Sequence, residues 1–142
     1  MRRAIVLFVI VAVGAGSALN ASAKVRQPET QCRYRGGGGW SDRDVKQAIA
    51  CAVGKWSVPG GVRKARSVAR CESGYAEGER NSTSSAAGVY QFLSGTWAAV
   101  KNHYREVMRR YSLSESVVNA RANVMLAIRY AHAGGWSPWT CA

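Results

Sequence analysis

The stretch Val62-Arg63-Lys64-Ala65-Arg66-Ser67-Val68-Ala69-Arg70-Cys71-Glu72 reads as one helix. Val62, Ala65, Val68 and Ala69 fall on one stripe at helical spacing, and Ser73-Gly74 marks the end. Glu72 extends that stripe, so it points to the apolar side rather than to water. Apolar surroundings disfavour the charged form of a carboxyl group, and such a group suits a general acid near neutral pH. On position alone, a glutamate at a helix end would be a surface residue.

Helical patterns lie on both sides. Ser41 can cap a helix with Asp42 and Asp44 in its first turn, and Val45, Ile49, Ala52, Val53 and Trp56 share one face. Pro59-Gly60-Gly61 ends that element. Beyond Gly74, the polar stretch Ser73 to Ala87 is too irregular for a long helix or strand, and Gly88 to Leu93 is a short aromatic-apolar run. Trp97, Val100, Tyr104, Val107, Met108 and Tyr111 predict a third helix. A fourth is expected to begin at a capping box of Ser112 and Glu115, to carry Val117, Val124, Ala127, Ile128 and Ala131, and to stop at Gly134-Gly135. No alternating strand and no repeat stands out, so the expected class is mainly α around one core.

The whole chain has 142 residues, with 20 Lys+Arg against 8 Asp+Glu and a formal charge of +12. That length suits one domain. An apolar content of 47% with 20% charged residues excludes a disordered polyelectrolyte. Arg2 and Arg3, the apolar or small run Ala4 to Ala15, and Ala21-Ser22-Ala23 have the order of a secretory signal peptide cleaved after Ala23. The apolar run is shorter than the ~20 residues of a membrane span. Removing 23 of 142 residues leaves 119, secreted and with a net charge of +10. The polar segment Lys24 to Gly39 reads as a loop, and Gly36-Gly37-Gly38-Gly39 lacks the pattern of a phosphate cradle. The excess charge would draw anionic wall polymers or anionic lipid. Its clusters, Arg63-Lys64-Arg66 and Arg109-Arg110, are short and come with no nucleic-acid-binding motif, so nucleic acid is not expected.

Cys32, Cys51, Cys71 and Cys141 form no C-x-x-C pair, and His103 and His132 are the only histidines, so no metal site is expected. Export favours two disulfides instead. Three pairings are open to four cysteines, and spacing does not choose among them.

Acids are scarce: Glu29, Asp42, Asp44, Glu72, Glu77, Glu79, Glu106 and Glu115. Asp42, Asp44 and Glu115 have capping duties, Glu29 lies in the tail, and Glu106 sits among basic residues on a polar face. Glu77 and Glu79 fall in the polar stretch, which leaves Glu72.

Around Glu72 the chain reads Cys71-Glu72-Ser73-Gly74, then Ser84-Ser85-Ala86-Ala87-Gly88-Val89-Tyr90-Gln91-Phe92, then Thr96-Trp97. This resembles the soluble-lytic-transglycosylase (SLT) motif of the lysozyme superfamily. Ala127-Ile128-Arg129-Tyr130 with Gly135-Trp136-Ser137-Pro138-Trp139 is similar to the closing segment of its actinobacterial branch, which includes the resuscitation-promoting factors. The likeness covers Val62 to Cys141. It implies a small lysozyme-like helical domain over residues 62–142, preceded by an extension with one helix over 24–61 and the signal over 1–23. It implies Glu72 as the catalytic acid/base, Gln91 as a cleft residue touching sugar N-acetyl or hydroxyl groups, and Tyr90 and Tyr130 near Glu72, with Tyr130 able to hydrogen-bond to it. It also implies a Cys71–Cys141 bridge, which leaves Cys32 with Cys51. Trp97 reads as core, and Trp136 and Trp139 as cover for the bridge rather than sugar platforms.

The function that follows is cleavage of the β-1,4 bond between N-acetylmuramic acid and N-acetylglucosamine in peptidoglycan, by a monomer that needs no cofactor. Glycosidases that use two carboxylates hold them ~5 Å or ~6.5–9.5 Å apart. Glu77 and Glu79 sit in no matching motif, so a single-glutamate route with N-acetyl assistance is expected. Its product is a 1,6-anhydromuramyl end, as in a lytic transglycosylase. Muramidase hydrolysis of the same bond, and a non-catalytic cationic wall-binding or antimicrobial protein, are the alternatives.

Overall fold

The computed structural model describes residues 31–34 and 39–142. The signal segment 1–23 and its cleavage point after Ala23 lie outside the described residues. Five helices occur among them: α1 (Asp42–Lys55), α2 (Gly61–Ser73), α3 (Ser94–His103), α4 (Arg105–Arg110) and α5 (Ala120–Gly134).

Helix α1 begins at the expected Ser41 cap, which is a full capping box with Asp44. The Asp44 amide donates to Ser41 Oγ at 3.3 Å, and the Ser41 amide donates to Asp44 Oδ2 at 2.9 Å. Val45, Ala48, Ile49 and Ala52 are fully buried. Helix α1 packs against both α5 and α2, so residues 24–61 contribute their helix to the same core as residues 62–142. Gly60 starts α2 from a left-handed φ of 74°, and a Cβ there would lie 2.5 Å from the Lys64 Cβ. Ala65, Val68 and Ala69 are buried, as their spacing predicts.

Two expectations change. The third helix is broken at Tyr104 (φ −102°, ψ 34°), giving α3 and α4. Trp97, Val100, Tyr104 and Met108 are nonetheless all buried. The Tyr104 amide still bonds the Val100 carbonyl at 2.9 Å, so the chain tilts at this point without losing its stripe. The fourth helix does not start at Ser112. Ser112 has φ 46°, and the Glu115 side chain reaches Lys101 while its carbonyl accepts from Trp97 Nε1 at 2.9 Å. The cap is Asn119, whose side chain accepts the Ala122 amide at 3.0 Å. From Ala120 to Ile128 every residue of α5 is buried, which makes it the central helix of the domain.

The expected pairings form. Cys32–Cys51 and Cys71–Cys141 have Cα separations of 5.6 and 5.8 Å, within the disulfide range. On the chain-entropy model, loops of 19 and 70 residues are worth about 3 and about 4 kcal/mol. Arg121 ties the N-terminal segment down: its guanidinium donates to the Gln31 carbonyl at 2.8 Å and the Tyr111 carbonyl at 2.6 Å. Burial, and after it the charge of Arg33, pushes that guanidinium down to about 10. The fold is a small, disulfide-stapled, mainly α domain. Among the described residues, no helix is long and apolar enough to cross a membrane.

Candidate active site

Glu72 sits on the last turn of α2. Gly74 closes the helix in the left-handed region (φ 63°), with its amide on the Arg70 carbonyl at 2.9 Å. Glu72 is half-buried, and its Oε1 accepts the backbone amide of Cys141 at 3.2 Å. The neighbouring Cys71–Cys141 bridge fixes that amide in place. Ser73 Oγ donates to the Val89 carbonyl at 2.8 Å, which fastens the end of α2 to the following loop.

Two isolated bridges, Arg80↔Ala87 and Ala87↔Phe92, shape that loop. Gly88 turns it at φ 80°, where a Cβ would come within 2.3 Å of Asn123 Nδ2 and 2.4 Å of the Val117 carbonyl. Asn123 is wholly buried on α5. Its Oδ1 accepts the Tyr90 amide at 2.8 Å, and its Nδ2 donates to the Val117 carbonyl at 2.8 Å. Gln91 adopts φ 48°, a conformation that L side chains rarely take without a reason. Its Nε2 donates to the Gly88 carbonyl at 2.9 Å and the Glu79 carbonyl at 3.3 Å. Both amide hydrogens are thus committed inward, and Oε1 is left to accept a bond from a ligand.

Tyr90, expected to line the cleft, has no exposed surface. The ring is fully buried, and its hydroxyl donates to the Ala65 carbonyl of α2 at 2.9 Å. Burial pushes that phenol well above its usual range. Tyr90 therefore pins α2 to the loop and has no surface to offer a substrate. Tyr130 is half-buried, with its ring 5.9 Å from Trp139 in an edge contact. Among the described residues, no hydrogen bond joins it to Glu72.

A cleft of about 270 Å³ opens beside Glu72, lined also by Asn81, Ser84, Gln91, Leu93, Pro138 and Trp139. Gln91, Leu93, Pro138 and Trp139 also line a hollow of about 120 Å³ that takes in Thr96 and Tyr130. Thr96 and Tyr130 then border a third, of about 710 Å³, beside His103 and Tyr104. Through these shared walls the three hollows lie in series, and together they are called the groove. Among the described residues, Glu72 is the one acid lining it. Glu77 is spent elsewhere, with Oε1 accepting the Trp40 amide at 3.1 Å. Trp136 and Trp139 turn their indole N–H groups inward, to the Pro59 and Tyr90 carbonyls, both at 2.8 Å. A hollow of about 720 Å³ over α3 and α4 is larger than the Glu72 cleft, but its one lining acid, Glu115, is paired with Lys101. Among the described residues, no three His, Cys, Asp or Glu side chains gather in a way that could hold a metal.

The groove thus combines Glu72, Gln91, Tyr130 and the tail of the chain, and excludes Tyr90. Sequence reading passed over Ser73 and Asn123 as supports. A polar Asn123 inside an apolar helical stripe was the available signal. Compared with family models, with curated proteins and with solved structures, the chain matches none. Fold and groove together define a class: a small disulfide-stapled α domain with one carboxylate in an open, elongated groove.

Proposed function

We propose that the protein is a secreted enzyme that cleaves peptidoglycan glycan strands at the β-1,4 bond between N-acetylmuramic acid and N-acetylglucosamine. Glu72, as an acid, protonates the glycosidic oxygen. The N-acetyl group of the muramic residue attacks its own anomeric carbon and supports the cationic centre. The N-acetylglucosamine side departs with its 4-oxygen as a hydroxyl, and Glu72, now a carboxylate, takes the proton from the 6-hydroxyl of the muramic sugar as that oxygen bonds the anomeric carbon and displaces the N-acetyl oxygen. The product is a 1,6-anhydromuramyl end, and the enzyme is a lytic transglycosylase of lysozyme-like type.

One observation carries this reading: a long open groove, suited to a linear polymer, contains a single carboxylate. Among the described residues no second acid lines it to form a covalent intermediate or activate water, which favours the intramolecular route over muramidase hydrolysis. Gln91 Oε1 is suited to accept from a sugar N–H or O–H group, and the Tyr130 and Trp139 rings offer a wall for sugar faces. Two disulfides accord with an oxidising, extracytoplasmic setting.

The test is digestion of purified peptidoglycan by the protein and by Glu72→Gln, with fragments analysed by mass. The expected outcome is anhydro ends, reduced at least about 10²-fold in the variant. Reducing ends lost in the variant would assign a muramidase. Equal effects from both proteins would sink the enzyme and leave a cationic binding protein.

A further inference from the structure

We propose that the outer face of α2 is a second binding site, separate from the groove, for a phosphodiester-linked polyol or sugar polymer. Arg63, Ser67 and Arg70 follow one another at i, i+4 and i+7 and are all exposed, with Lys64 beside them. Arg63 and Arg70 are therefore about 10 Å apart along the helix. Arg66 is committed, donating to the Lys46 carbonyl at 2.9 Å. The Arg63, Lys64 and Arg70 side chains have no ion pair or hydrogen bond among the described residues. The single acid of this helix, Glu72, lies on its other side, in the groove.

Two of these cations, Arg63 and Lys64, border a hollow. Pro59, Gly60, Arg63, Lys64, Ser67 and Trp136 enclose about 490 Å³, and no carboxylate is among them. Two cations and a hydroxyl around one concavity suit a phosphate, which takes several charge-assisted hydrogen bonds at once. A row of cations along a helix suits a polymer with regularly repeated charge, because each neutralised phosphate adds to affinity.

Two other polyanionic surfaces fit less well. Lipid binding by a surface helix needs apolar side chains to insert. The single exposed large apolar residue among those described is Leu93, which lies in the groove. Single-stranded nucleic acid needs exposed aromatic platforms, and Trp136 is only 6% exposed. The hollow communicates with the groove through one loop. Trp136 borders the hollow, Trp139 borders the groove, and their ring centroids are 5.3 Å apart. A chain anchored on α2 would hold the enzyme against the wall while the groove works. The wall as the source of the polymer rests on the extracytoplasmic reading above; the binding does not.

The test is calorimetric titration of the purified protein with poly(glycerol phosphate). The triple variant Arg63→Gln/Lys64→Gln/Arg70→Gln is expected to bind at least about tenfold more weakly. A control of equal charge, Arg43→Gln/Arg105→Gln/Arg110→Gln, is expected to bind within about twofold of the parent, because its positions lie off α2. All six positions are on the surface, and thermal melts verify that both variants fold. Unchanged binding by the first triple, or equal weakening by the two, overturns the site. Equal binding of polyglutamate, or tighter binding of single-stranded DNA or phosphatidylglycerol vesicles, overturns the phosphodiester-polymer assignment. Glu72→Gln is expected to bind the polymer as the parent does, so a failure of cleavage and a failure of binding are separate results.

Discussion

The backbone amide of Cys141 donates to Glu72 Oε1 at 3.2 Å, across 69 residues of chain. The bridge from Cys71, next to Glu72, brings that amide there. One covalent link thus both closes the domain and positions the carboxyl group in the groove. Replacing Cys71 and Cys141 by Ser is expected to cost about 4 kcal/mol and to lower cleavage by the molecules that remain folded. Replacing Cys32 and Cys51 is expected to cost about 3 kcal/mol with cleavage per folded molecule unchanged. Paired melting curves and turnover rates check this, and equal activity in both double variants would count against the positioning role.

Gly88 and Asn123 form a second coupled pair. Gly88→Ala drives a Cβ into Asn123 Nδ2 and the Val117 carbonyl, at an expected cost of about 3 kcal/mol. Asn123→Ala strands the Tyr90 amide and the Val117 carbonyl, at about 2 kcal/mol. In a double-mutant cycle the two costs should fall short of additivity, since removing Asn123 relieves part of the clash. Strict additivity in denaturant titrations would refute the coupling.

Much of this framework is legible from the residues, and the failures share a cause. The Ser41 cap of α1 and the end of α2 at Gly74 are local chemistry, and local chemistry can be read from spacing. The break at Tyr104 is invisible because the buried stripe runs through it unchanged. Ser112 and Glu115 have the right spacing for a capping box, but Trp97 and Lys101 claim the carbonyl and side chain of Glu115. Tyr90 stands beside Gln91 in sequence, yet a neighbour pair in a tight loop sends one side chain inward and the other to the groove. Asn123 was missed because the amide it accepts, that of Tyr90, lies 33 residues away.

Tyr90 gives the alkaline behaviour a sign. Its folded phenol titrates above its ordinary value of 10, because of burial and then the charge of Tyr75. The stability this contributes is fully present below pH 10 and is lost as the pH rises through the higher folded value. Tyr90→Phe should therefore flatten the alkaline limb of a stability–pH curve, and should cost about 1 kcal/mol at neutral pH for the bond to Ala65. An unchanged limb would rule the group out.

Asp44 acts at the other end of the scale. The Ser41 hydroxyl, then its amide, holds this carboxyl below its ordinary value of 3.8. The associated stability is present above pH 3.8 and is lost as the pH falls through the lower folded value. Asp44→Asn should lessen the acid-side slope of stability, measured by denaturant titration at stepped pH.

Gln91 separates function from strain. Gln91→Gly removes a side chain from a left-handed position (φ 48°), so stability should hold or rise by about 1 kcal/mol. Cleavage of glycan strands should fall at least about tenfold, as expected when a ligand-binding group is lost. A variant that is both stable and fully active would remove Gln91 from the site.

The packing of α1 on α5 also sets an order of events during synthesis. The apolar stripe of α1 is made early, but the helix that covers it leaves the ribosome last among the described elements. Until then α2 alone can pack against α1, and the contacts with α5, so far apart in sequence, form slowly. The core is thus completed only when its last helix arrives, so a chain truncated before Ala120 lacks the element around which the rest is packed.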